Sequence, residues 1–92
     1  MITVELPRAL TPYSPTGTVV TLPGPCATVG DALAALAAQA PGVVDRVMDE
    51  RGAVRQHVNV FVDDASIRFL DGLATPVPDG SHIFIVAAVS GG

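Results

Sequence analysis

The chain has 92 residues, 49% of them hydrophobic and 15% charged, and a formal net charge of −4. That size fits one globular domain with one modest core, and the apolar content excludes a disordered chain. All five cations are arginines (Arg8, Arg46, Arg51, Arg55 and Arg68) and lysine is absent, so no basic stripe is available for nucleic acid.

An acidic chain of this kind suits a protein partner with a basic surface. The single cysteine, Cys26, lies in the loop-like run Pro23-Gly24-Pro25-Cys26, which excludes an intramolecular disulfide or a cysteine metal cluster. Met1 to Leu6 lacks the basic region and long apolar run of a signal peptide. No apolar stretch approaches the ~20 residues that span a bilayer. A cytoplasmic setting without membrane contact is therefore expected.

In chain order, Ile2, Val4 and Leu6 alternate with polar residues as in a half-buried strand that Pro7 ends. The segment to Pro15 reads as a long hairpin loop, with Pro12 and Ser14 inside it. Gly17 to Leu22 is the returning strand, rich in β-branched residues and stopped by Pro23-Gly24-Pro25. Thr28 then reads as an N-cap, with Asp31 placed where a carboxylate favours a helix N-terminus.

A helix is predicted from Val29 to about Gln39, its apolar stripe Val29, Leu33, Leu36 and Ala40 facing a sheet and Pro41-Gly42 terminating it. Val43 to Met48 is read as one further short turn, with Asp49-Glu50-Arg51-Gly52 as a solvated loop. His57 to Val62 is an interior strand with Val58, Val60 and Val62 on one side and His57, Asn59 and Phe61 on the other. After the Asp63-Asp64 turn, Ile67-Arg68-Phe69 is assigned to a short edge strand. Asp71-Gly72 and Pro76 to Gly80 are turns, and the last strand runs from about Ser81 straight to the chain end.

A hairpin, a helical crossover and further strands make an α+β fold, with one main helix packed on one face of a mixed sheet and the other face open. This is the layout of a β-grasp, or ubiquitin-like, roll, and residues 1–92 are read as a single such domain. The chain closes on Val89-Ser90-Gly91-Gly92. A Gly-Gly end lacks Cβ atoms and fits a channel too narrow for side chains, as a carboxylate handed into another protein's active site requires. An unstructured chain end is the plainer alternative.

These features resemble the ThiS/MoaD sulfur carrier proteins over essentially the whole chain. The resemblance is strongest in Val58-Asn59-Val60-Phe61-Val62-Asp63-Asp64, Ile67-Arg68, Leu73-Ala74-Thr75, Asp79-Gly80 and Val89-Ser90-Gly91-Gly92. Within that family, Arg68-Phe69 and Gly72-Leu73-Ala74-Thr75 are most similar to the actinobacterial carriers that deliver sulfur for cysteine synthesis. Two positions depart from the common pattern: Ser81 follows Asp79-Gly80 where members often have Asp, and Ala87-Ala88 precede the tail where members often have proline.

The resemblance implies a protein cosubstrate with no catalytic residues, no metal and no cofactor of its own. An E1-like adenylating enzyme using ATP activates the Gly92 carboxylate, and sulfur replaces AMP to leave a thiocarboxylate. Val89, Ser90, Gly91 and Gly92 thread into partner active sites. The implied partners are that E1-like sulfurtransferase, a PLP-dependent cysteine synthase or another sulfur-incorporating enzyme, and a metalloprotease that releases the product. Sulfur supply to molybdopterin, thiazole or a thiolated metabolite, and ubiquitin-like tagging of proteins, are the alternatives.

Strand alternation suggests where such partners dock. If Val60 and Ile85 are core, Phe61, Phe84 and Val86 form an apolar patch on the open face beside the tail. Arg68 and Asp64 are either polar rim contacts of that patch or an internal pair. His57 and His82 are read as solvent-facing strand residues without a metal or proton-transfer role.

Overall fold

A computed structural model describes residues 1–87. Strand β1 (Ile2–Glu5) pairs antiparallel with β2 (Val19–Leu22) and parallel with β5 (His82–Ala87). Strand β3 (Val58–Val62) pairs antiparallel with β5 and with the two-residue β4 (Ala65–Ser66). The sheet order is therefore β2-β1-β5-β3-β4, with the last strand in the centre. A parallel β1–β5 pair needs a long connection, and the helices lie within it. This is the mixed-sheet β-grasp that the element order predicts.

Helix α1 (Val29–Gln39) begins as its sequence dictates: the Thr28 hydroxyl accepts the Asp31 amide at 3.2 Å. All four residues of the predicted stripe, Val29, Leu33, Leu36 and Ala40, are buried. They close over Ile2 and Val4 of β1, Val20 and Leu22 of β2, Val58, Val60 and Val62 of β3, and Ile83 and Ile85 of β5, in one continuous core. Every second strand residue points into it, so the opposite sheet face carries the intervening side chains.

Three local assignments are corrected. α1 ends before Pro41-Gly42 as expected, with Ala40 as its C-cap, but the short turn read at Val43–Met48 is a second helix, α2 (Pro41–Val47), which Pro41 opens. At a first helical position the missing N–H has no intrahelical partner to lose, so proline starts a helix as readily as it stops one. Residues Arg8–Tyr13, read as plain loop, form a 3-10 helix whose Tyr13 ring receives the Arg46 guanidinium of α2 at 3.6 Å. Finally, Ile67–Phe69 is a 3-10 turn and not the edge strand, which is Ala65–Ser66.

The turn before β5 is tied to the chain start. Gly80 takes φ +84°, open to glycine at little cost, and its amide donates to the Met1 carbonyl at 3.0 Å. The Met1 amino group donates to the Asp79 carboxylate beside it. No helix among the described residues is long and apolar enough to cross a membrane.

Candidate docking face

The strand registers assemble the open face in rows. Phe61 of β3 lies directly opposite Phe84 of β5, which in turn lies beside Glu5 of β1, and Glu5 opposes Val19 of β2. Asn59 opposes Val86 in the next row towards the chain end. Directly opposed side chains stand close enough to pack, and aromatic pairs are among the strongest such neighbours. Phe61 and Phe84 are half-buried by this contact, whereas Val86 is 47% exposed and Val19 42% exposed.

The structure thus brings Phe61, Phe84 and Val86 together on one surface. It does not bring Arg68 to them. The Arg68 guanidinium donates through Nη2 to the carbonyls of Gln56 at 2.6 Å and Val58 at 2.8 Å, at the outer edge of β3. Those are charge-assisted bonds to a strand edge that β4 is too short to cover, so the side chain seals the sheet instead of rimming the face. Asp64 stands exposed in the β3–β4 turn.

Three residues not given a docking role from the sequence surround Phe84. The His82 imidazole stacks on it with centroids 4.8 Å apart and planes 16° apart. The Glu5 carboxylate lies 3.9 Å from His82 Nε2. Asp63, held at φ 53°, accepts the His82 amide on its Oδ1 at 3.0 Å and donates its own amide to the His82 carbonyl at 2.8 Å. The signal for His82 was present, since residues two apart on a strand share a face; Glu5 needed the β1–β5 register, which sequence does not display.

Strand β5 carries this face as far as Ala87. Its last described residue, Ala87, pairs with Val58, one position past Val86 on the open face. The tail residues Val89, Ser90, Gly91 and Gly92 lie outside the described residues. Among the described residues no cluster of three or more His, Cys, Asp or Glu side chains is placed to hold a metal ion, and Cys26 is buried.

Comparison with known proteins agrees with this architecture. The ThiS family matches residues 8–92. The sulfur carrier protein CysO of Mycobacterium tuberculosis is 36% identical over 93 aligned residues, covering 99% of this chain and 98% of that protein. Small archaeal modifier protein 3 of Haloferax volcanii is 39% identical over 66 residues, 72% of this chain and 71% of that one. Among solved structures, a chain of the Amycolatopsis orientalis BexX/CysO complex superposes with a TM-score of 0.88 at 30% identity, covering 100% of both chains.

Proposed function

The chain belongs to the ThiS family, and from that premise we propose that it is a sulfur carrier protein, a cosubstrate of partner enzymes and not itself a catalyst. The observation that carries this reading is the extent of the family match, which continues to residue 92 and so includes the glycine pair. An E1-like enzyme joins the Gly92 carboxylate to the AMP part of ATP, releasing pyrophosphate. Sulfide attacks the acyl carbon and expels AMP, leaving a C-terminal thiocarboxylate directly. With a persulfide donor the same attack gives an acyl disulfide, which a second thiol of the partner cleaves, forming a disulfide with the donor's sulfur and releasing the thiocarboxylate. That anion is a soft nucleophile for the same reason that a thiolate reacts where a thiol does not.

The protein's own contribution is presentation. Phe61, Phe84 and Val86 supply an apolar anchor on the open face, and Val89 to Gly92 supply the thread that enters the partner's active site. Cysteine synthesis through a PLP-dependent synthase, followed by metalloprotease release, is the favoured destination, supported by the CysO relative. The partner in the BexX/CysO complex supports docking of a chain of this fold on a second protein.

A second reading is favoured by the archaeal modifier relative: the same activated glycine joined to lysines of target proteins. Lysine is absent from this chain, so lysine-linked polymers of it are excluded, although single tags are not. Intact-protein mass spectrometry after incubation with an E1-like enzyme, ATP and a sulfur donor separates the readings. Exchange of one oxygen for sulfur at Gly92, lost when Gly92 is deleted, is the expected result. Adducts on partner lysines without a thiocarboxylate would select tagging, and no modification by several such enzymes would overturn both.

A further inference from the structure

On the helix side of the sheet, away from the docking face, a cleft of about 510 Å³ opens at the outer edge of β3. Val58, Val60 and Ile67 form its floor, Leu73 stands in its wall, and Arg68 and Asp71 carry its charge. None of these residues belongs to the open face formed by Phe61, Phe84 and Val86. Between Arg68 and Asp71 the chain puts out Phe69, which is 88% exposed, followed by Leu70, which is 49% exposed.

A single exposed apolar residue is ordinary. What stands out is the pairing on one surface of an aromatic knob with an apolar cleft large enough to receive it. A knob beside its own matching cleft is self-complementary: a twofold axis passing between them places each copy's knob over the other's cleft. We propose that two copies of this chain associate through this surface, each inserting Phe69 into the cleft of the other.

Charge is consistent with a second copy as the occupant. The chain as a whole carries −4, which opposes self-association. The cleft carries one cation, Arg68, and one anion, Asp71, and is locally neutral. The twofold arrangement sets the arginine of each rim against the aspartate of the other. Asp63 and Asp64, in the turn after β3, and Asp79, in the turn before β5, are not among the cleft residues. The open sheet face stays free, so a dimer of this kind leaves tail delivery unobstructed.

The surface is small. Two phenylalanines, two leucines and the cleft walls they cover amount to on the order of 1,000 Å², the lower edge of specific interfaces. The association is therefore weak and concentration-dependent.

Sedimentation velocity and amide chemical shifts of the full chain, followed from roughly 10 μM to 1 mM, test it. The expected result is a mass rising towards the dimer, with shifts concentrated at Phe69, Leu70 and the cleft. Phe69→Asp should abolish both, and its exposure leaves the fold intact. Asp71→Arg, which puts two cations on each rim, should weaken association about tenfold. A monomer throughout the range overturns the proposal, as does undiminished association of Phe69→Asp. Cleft shifts that appear only when an activating enzyme is added would assign the cleft to that enzyme and overturn it too. The sulfur-carrier reading is tested separately, by the mass of Gly92, and stands or falls independently of the dimer.

Discussion

The imidazole of His82 lies against the ring of Phe84, centroids 4.8 Å apart and planes 16° from parallel. Phe84 is thereby packed on one side by His82 and opposed across the strand pair by Phe61. Its position on the open sheet face is set by neighbours on two strands. Removing a stacking neighbour costs about 1 kcal/mol and frees the ring that a partner would meet.

His82→Ala is therefore expected to lower stability by about 1 kcal/mol in urea denaturation. It should also weaken binding of the activating enzyme several-fold. Phe84→Asp should weaken that binding far more, by at least a hundredfold, with the sheet retained, as titration calorimetry with the enzyme will measure. Equal binding by both variants and the parent chain would remove the open face from the interface.

Arg68 should behave in the opposite way. Its bonds to the Gln56 and Val58 carbonyls are charge-assisted, the second of them partly buried, and hydrogen bonds of that class contribute roughly 1.5–3 kcal/mol. Arg68→Ala is expected to destabilise by about 2 kcal/mol in denaturant titration, while leaving enzyme affinity within about twofold once folded protein is compared. A selective loss of affinity without loss of stability would return Arg68 to the docking surface.

Acid should act through two turns. The Met1 amino group donating to Asp79 holds that carboxyl below its ordinary value of 3.8, and the Ala53 amide does the same for Asp49, with Arg51 adding to it. A carboxyl whose folded pKa is depressed contributes stability that is fully present above its unfolded value and is lost as pH falls through the folded one. Stability should therefore hold down to about pH 4 and decline below it. Asp79→Asn and Asp49→Asn should each flatten that acid limb in thermal melts recorded from about pH 2 to about pH 5. A limb of unchanged steepness in both variants would place the acid sensitivity elsewhere.

The sheet was legible because alternation with period two is a direct record of which side chains meet the core. Val58, Val60, Val62, Ile83 and Ile85 all lie where that rule puts them, and Phe61 and Phe84 follow on the other face. Ile67-Arg68-Phe69 misled for a physical reason: a β-branched and an aromatic residue favour strands on average, yet here only Ile67 is buried and the segment turns. Pro41 was half legible: α1 stops before it as expected, but a helix start and a helix stop look alike at proline, so α2 was read as no more than a short turn. The role of Arg68 was beyond sequence, since its acceptors are backbone carbonyls ten and twelve residues earlier in the chain.

The central position of β5 has a mechanical meaning. At His82 to Phe84 the strand has β1 on one side and β3 on the other, and pairing with β3 continues to Ala87. A pull applied at Ala87 along the strand loads these ladders in shear, so many hydrogen bonds must yield together instead of parting one after another. Under the proposed function, in which the chain end is drawn into enzymes and withdrawn, that kind of anchorage is an advantage. The fold supplies it by placing the last strand, β5, in the middle of the sheet.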